Sequence, residues 1–234
     1  MSIVTPTYNR RKFIPSLMKM VEAQTYPKDR MEWVVVDDGQ DSVEDLFTAA
    51  GSNKKLPKIR YIRRDEKMTL GEKRNLMNRE AKGEILVAFD DDDYYVPERV
   101  AAAVHALQGK PQVDLAGASE IYMYFHDVKE IWRFGPYAPN HATNGTMAWR
   151  KRYAETHTYD ESVSFAEEKS FLENYRNPLI QLNPMKVMLV ISHSENTFDK
   201  STLRDPQNPM AKKTSLKLKD FIKDSSLREF FSNA

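Results

Sequence analysis

Short apolar runs alternate with longer amphipathic stretches through the first half of the chain. Four runs rich in β-branched residues, Ser2 to Thr5, Glu32 to Val36, Lys58 to Ile62 and Glu84 to Phe89, are bounded by charged or turn residues and predict strands. Phe13, Leu17, Met20 and Val21 form one face of a helix predicted over Phe13 to Gln24, and Leu70, Leu76, Met77 and Ala81 do the same for Leu70 to Ala81. Pro97 suits the first turn of a third helix running to Leu107. Strand and helix units in this order predict an α/β fold with a mostly parallel sheet flanked by helices.

The second half has another rhythm. Alternation at Glu120 to Phe125 and Glu130 to Phe134 predicts an antiparallel hairpin, so the sheet is expected to be mixed. A helix from Ala166 to Tyr175 and a strand from Val187 to Ile191 follow. Apolar content then falls across Asn196 to Ala211, which reads as a linker. Leu216, Leu218, Phe221, Ile222, Leu227 and Phe230, interleaved with lysines, mark an amphipathic helix over Ser215 to Phe231. Docking on the domain is the expectation for it, with a membrane-surface or partner-docking helix as the alternative.

Composition removes several function classes. The formal charge is +1, from 35 basic and 34 acidic residues, so the overall balance calls for no nucleic-acid partner. With no cysteine, disulfide frameworks, thiolate metal sites and thiol enzymes are excluded. The apolar runs are too short for a transmembrane segment, and Met1-Ser2-Ile3-Val4 does not open like a signal peptide. A soluble, cytoplasmic chain is expected, with the cytosolic face of a membrane as a second location. The ending in Ser232-Asn233-Ala234 fits a piece of a longer multidomain chain.

Candidate chemistry concentrates at Asp90-Asp91-Asp92-Asp93, immediately after the strand that ends in Phe89. Four adjacent carboxylates at the carboxyl end of a buried strand need a counter-charge, such as a hard divalent cation, at the place where open α/β sheets bind ligands. Strand alternation would turn Asp90 and Asp92 toward one crevice and Asp91 away. Asp92 would hold a metal bridging diphosphate oxygens, and Asp90 would contact a ribose or share the metal. An EF-hand loop is disfavoured because Tyr95 stands where that loop needs glycine. Val36-Asp37-Asp38-Gly39 is a second strand ending in carboxylates, able to accept from a base or ribose. Thr5-Pro6-Thr7-Tyr8-Asn9-Arg10 offers an aromatic face and polar groups after the first strand, and Arg74 supplies a cation near a helix start.

In this order the segments Ile3 to Arg10, Val36 to Gly39, Gly71-Glu72-Lys73-Arg74-Asn75 and Phe89 to Tyr94 resemble glycosyltransferase family 2 and the wider GT-A superfamily, over residues 2 to 195. The resemblance implies a GT-A fold, a Rossmann-like mixed central sheet flanked by helices with a smaller antiparallel acceptor-side part. Residues 1–110 would bind nucleotide and 111–200 the acceptor, followed by the linker and C-terminal helix over 201–234. It implies a nucleotide-binding set of Pro6, Thr7, Tyr8, Arg10, Asp38, Arg74, Asp90 and Asp91, with Asp90-x-Asp92 as the DxD motif. Thr143 to Arg150 resembles the stretch bordering the donor sugar, with Thr146 and Met147 at its centre. Phe165-Ala166-Glu167-Glu168-Lys169 resembles the catalytic acidic pair. Glu168 stands at the position of the base, where an aspartate is usual, which leaves the choice between Glu167 and Glu168 open. His193 would join Asp92 in holding Mn2+ or Mg2+, while His105, His126, His141 and His157 read as structural or surface residues. The implied reaction is metal-dependent, inverting transfer of a hexose from a nucleotide diphosphate sugar, a UDP-sugar by preference, to a glycan or other hydroxyl acceptor. A sugar-nucleotide pyrophosphorylase is the second enzyme reading, disfavoured because Pro6-Thr7-Tyr8-Asn9 has no glycine. A non-catalytic sugar-nucleotide or glycan-binding module is the third.

Overall fold

The computed structural model of the chain describes residues 1–164, 166–196, 199–205 and 207–233. The four predicted strands are present as β1 (Ser2–Thr7), β2 (Glu32–Asp37), β3 (Lys58–Arg63) and β4 (Ile85–Ala88). β1 pairs in parallel with both β2 and β4, and β2 with β3. Strand order therefore reverses at β1, with β2 and β3 on one side and β4 on the other, so a crevice opens at the carboxyl ends of β1 and β4.

Beyond β4 the sheet becomes mixed. β6 (Leu115–Gly117), β9 (Ala148–Arg150) and β10 (Leu179–Gln181) complete seven strands in the order β10-β6-β9-β4-β1-β2-β3, with β9 antiparallel to β4 and β6. None of these three-residue strands is predicted, because they are too short to display a period. The helices α1 (Ile14–Glu22), α3 (Leu70–Glu80) and α4 (Arg99–Gly109) match the expectation, and α2 (Glu44–Ala50) and the single turn α5 (Lys151–Ala154) are additional. α3 starts on a capping box in which Thr69 and Glu72 satisfy each other's backbone N–H. Its buried face carries Lys73, Arg74, Asn75 and Asn78 beside Leu76 and Met77.

A second sheet of five strands has the order β12-β8-β7-β11-β5, built from β5 (Tyr94–Tyr95), the predicted hairpin β7 (Ile121–Phe125) and β8 (Glu130–Phe134), β11 (Met188–Ser192) and β12 (Ala211–Lys213). β12 is an edge strand at the end of the stretch expected to be a linker. The C-terminal helix is two pieces, α7 (Leu218–Phe221) and α8 (Ser225–Asn233), because Asp224 caps a new helix by accepting from Leu227 N at 2.9 Å. Phe221, Ile222, Leu227 and Phe231 are buried in the main core, so this segment docks on the domain. It covers the back of the second sheet, where Tyr94 meets Phe231 and Tyr122 meets Phe221 with ring centroids 6.0 and 5.5 Å apart. The helix predicted over Ala166 to Tyr175 shrinks to α6 (Glu168–Phe171). Glu173, Asn174 and Tyr175 all have positive φ, and left-handed backbone cannot continue a helix.

Candidate active site

A cleft of about 740 Å³ lies at the carboxyl ends of β1 and β4, with the second sheet as its far wall. β4 stops at Ala88, so Asp90 to Asp93 form a turn rather than an extended strand, and all four border the cleft. The turn nevertheless exposes alternate residues, leaving 23% of the Asp90 and 16% of the Asp92 side chain open against 9% for Asp91 and 8% for Asp93. Tyr95 Oη accepts from Asp90 N at 2.7 Å, and Asp93 Oδ1 accepts from Ile191 N at 2.8 Å, which ties the turn to β11.

The four carboxylates do not carry four equivalent charges. Burial, then the neighbouring Asp92 charge, pushes Asp91 well above the usual carboxylate range, and burial pushes Asp93 upward against the pull of Lys200. Burial acts the same way on Asp92, but the hydrogen bond from His193 and the charges of Lys200 and Arg10 outweigh it and hold Asp92 below the usual range. Of the two central carboxyls, Asp92 is therefore the one favoured as the anion. His193 Nε2 is 3.2 Å from Asp92 Oδ2, and Asn196 Nδ2 is 3.3 Å from that oxygen. Arg10 lies 3.9 Å from both Asp91 and Asp92 and donates to the Glu195 carbonyl at 2.6 Å.

Arg74 is the hub of the cleft. It is 3% exposed, and its guanidinium donates to Asp90 Oδ1 at 2.8 Å and to Glu167 Oε1 at 3.1 Å. Burial alone would lower its pKa, but the charges of Asp90 and Glu167 prevail and raise it, so the group is permanently cationic. Turning the Asn144 amide so that its oxygen faces the guanidinium lets it accept from Arg74 at 3.0 Å while its nitrogen donates to Tyr159 Oη at 2.7 Å. The segment carrying Glu167 is fastened to α3. Asn75 Nδ2 donates to the Tyr159 carbonyl and Asn75 Oδ1 accepts from Tyr159 N, both at 2.9 Å, and Thr69 Oγ1 donates to the Glu161 carbonyl at 2.7 Å. A Cβ on Gly71 would collide with the Asp160 carbonyl, so glycine permits this approach.

Asp38 does not border the cleft: its side chain is fully buried behind Lys73, which does, and accepts from Lys73 Nζ and from Met68 N, both at 2.7 Å. Pro6, Thr7 and Tyr8 line the floor, with Lys67 Nζ 4.6 Å from the centre of the Tyr8 ring. Asp37 does not reach the cleft. It holds its own turn by accepting from Gly39 N, Val43 N and Tyr61 Oη at 2.8, 3.0 and 2.5 Å.

On the second half of the chain, the structure separates residues that the sequence joins. Thr143, Asn144 and Gly145 border the cleft, whereas Thr146 and Met147 are buried behind it. Thr146 Oγ1 accepts from Ala118 N at 2.9 Å and Met147 packs in the core. Glu167 lines the cleft. Glu168 does not border the cleft; it is half-buried beside Glu167, forms no ion pair among the described residues, and is pushed up to about 7 by burial and then by the Glu167 charge. Phe165, the first residue of that motif, lies outside the described residues. His141, read from sequence as structural or surface, borders the cleft. Burial lowers its pKa, and its Nδ1 has no partner among the described residues. Lys73 and Asn144 were also passed over. For Lys73 the signal lies in α3, where polar residues interrupt an otherwise buried face; Asn144, in a short turn, carries no such signal.

Among the described residues, no three His, Asp or Glu side chains converge to cage a metal ion. The donors at hand are one carboxylate oxygen of Asp92 and one imidazole nitrogen of His193. Asp91 Oδ2 is buried beside them without a partner among the described residues. One or two protein donors plus phosphate oxygens and water is the usual coordination of Mg2+ at a diphosphate, and an imidazole also suits manganese, so the set fits a cation shared with a ligand.

Comparison with known proteins gives a consistent set of matches. The model of the family described as glycosyl transferase family 2 matches residues 2–173. The chain is 31% identical over 102 residues to the Staphylococcus aureus poly(ribitol-phosphate) beta-N-acetylglucosaminyltransferase TarS, covering 44% of this chain and 18% of that protein. It is 28% identical over 117 residues to an uncharacterized glycosyltransferase of Haemophilus influenzae, covering 49% of this chain and 36% of that one. The chain thus spans little more than a third of the length of these curated relatives, or less. Among solved structures, TarS 1–349 in complex with UDP-GlcNAc superposes with a TM-score of 0.65 at 21% identity, over 83% of this chain and 59% of that chain. The Pyrobaculum calidifontis mannosyltransferase PcManGT in complex with GDP-Man and Mn2+ gives 0.66 at 18%, over 83% and 57%.

Proposed function

Because the chain belongs to glycosyl transferase family 2 and has the GT-A fold, we propose that it transfers a hexose from a nucleotide diphosphate sugar to an acceptor hydroxyl, inverting the anomeric centre. The observation that carries this reading is the Arg74 bridge, which joins Asp90 of the acidic turn to Glu167 of the acidic pair across one cleft.

Tyr8 offers its ring to the base, and Asp38, buried beyond the cleft lining, accepts from a base N–H on giving up part of its bond to Lys73. Arg10 and Arg74 present cations to the diphosphate. Asp92 and His193 would hold Mn2+ or Mg2+, which supplies Lewis-acid stabilisation of the leaving diphosphate. Glu168 takes the proton from the attacking hydroxyl. Its carboxylate is committed to no cation, and a pKa near 7 matches a general base to neutral conditions. Glu167, paired with Arg74, orients that cation. UDP-sugars are the preferred donors, since UDP and UDP-GlcNAc are bound in the TarS structures, with GDP-mannose second on the strength of PcManGT.

The test is release of nucleotide from a panel of UDP- and GDP-sugars with manganese, together with calorimetric titration of UDP and GDP. Slow release from one donor, abolished in Asp92→Ala, is expected. A chain that binds neither nucleotide in the presence of manganese overturns the reading.

A further inference from the structure

The far wall of the cleft takes no part in the nucleotide site proposed above. In β7 and β11 Val190 lies opposite Met123, and the two-residue period of a strand puts Met188 on the side of Val190 and Ile121 on the side of Met123. All four border the cleft, and Leu203, half-buried, joins them from the turn after β11. The back of this sheet is already covered by Phe221 and Phe231, so the strip, itself largely packed into the core, presents what surface it has to the cleft. Aliphatic and thioether side chains offer no strong hydrogen bond. A sugar ring laid against them would surrender water from its hydroxyls without replacement. The groups able to receive hydroxyls, Arg74, Asp90, Asn144 and Glu167, stand elsewhere around the cleft.

The strip begins beside the acidic turn. A Cβ built on Gly145 would come 3.0 Å from Asp90 Oδ2 and 3.1 Å from Met188 Cε, so the acidic turn, the Gly145 backbone and the first apolar side chain meet at one point. An acceptor whose hydroxyl reaches that point lays its adjoining atoms along the strip. We propose that the acceptor is amphipathic: the attacking hydroxyl belongs to a molecule carrying a hydrocarbon or aryl group within a few bonds, which this wall buries, rather than a further run of sugars. This deepens the transferase reading and rests on it.

Calorimetric titration of the full chain with methyl β-D-glucopyranoside and hexyl β-D-glucopyranoside, in the presence of UDP and manganese, tests the proposal. The hexyl glycoside is expected to bind at least about tenfold more tightly, which is about 1.4 kcal/mol, the burial of roughly two methylenes. Leu203→Asn and Met123→Gln should each cut that advantage to about threefold or less while UDP affinity is unchanged. Leu203 is half exposed, so its replacement keeps the test standing if Met123→Gln fails to fold. A hexyl glycoside that binds no better than the methyl one, or an advantage that survives both variants, overturns the proposal while UDP binding leaves the transferase reading intact. Failure of nucleotide to bind the unaltered chain overturns both.

Discussion

On the first sheet's side of the cleft most charged side chains are tied to one another: Arg74 holds Asp90 and Glu167, Lys73 holds Asp38, and His193, reaching across from the end of β11, holds Asp92, while Glu168 has no ion pair among the described residues. On the second sheet's side, Ile121, Met123, Met188 and Val190 face the same space with no polar partner to lose. The difference lies in what each wall tolerates. A buried ion pair fixes geometry because removing one member strands the other, whereas an aliphatic wall accepts exchange at nearly constant volume. The tied wall suits a ligand of fixed chemistry, and the apolar wall suits one whose shape can vary.

The most damaging way to break this contrast is Arg74→Met. Asp90 and Glu167 would be left without their counter-charge, which we expect to cost about 3–5 kcal/mol in denaturant unfolding and to abolish nucleotide release. An unchanged unfolding midpoint would mean the ties are ornamental. Next in size is Glu168→Gln, expected to slow transfer roughly a hundredfold or more. In the unaltered chain the rate should rise with pH through about 7 as Glu168 loses its proton, and the variant should lack that rise. The linkage has the opposite sign for stability. Because folding raises this carboxyl from 4.5 to about 7, its contribution is full below 4.5 and is lost as pH climbs through 7. A Glu167→Gln variant with the larger rate defect would instead assign the base to Glu167. Gly145→Ala is milder. Its methyl must displace Asp90 Oδ2 or Met188, and donor affinity should fall by about threefold to tenfold in the same titration used for UDP-sugars. The smallest effect belongs to the apolar wall: Met123→Leu should cost less than about 1.5 kcal/mol and leave nucleotide release unaltered.

The readability of the sequence follows the same division. Strands β1, β2 and β4 were legible because parallel strands buried on both faces need near-continuous apolar runs, and β3, the half-exposed edge strand, through Ile59, Tyr61 and Ile62 set among charged residues. β6, β9 and β10 were not, since three residues next to a partner distant in sequence carry no period of their own. The acidic turn, Arg74, Asp38 and the Glu167-Glu168 pair stood out because carboxylates and cations at strand ends have few structural uses. Thr146 and Met147 were drawn into the site by adjacency, although a short 3-10 turn over Asn144–Thr146 swings them into the core behind Gly145. The apolar wall left no trace, for Met123 and Val190 are spelled like the interior of any buried strand. His141 was hidden for a different reason, lying in the loop after the hairpin, where no periodicity locates a side chain.

The covering of the second sheet by α7 and α8 limits how the molecule can be shortened. The family match stops at residue 173, ahead of β11, and a chain trimmed there would lose that strand and His193 just after it, along with half the apolar wall. Trimming after Lys213 is subtler. It keeps every residue assigned to the cleft but bares Tyr94 and Tyr122, and it removes Phe230 from Phe13, whose ring lies 5.0 Å from that of His193. Such a fragment should self-associate through the uncovered sheet face, visible as light scattering at micromolar concentration, before any defect in chemistry could be measured.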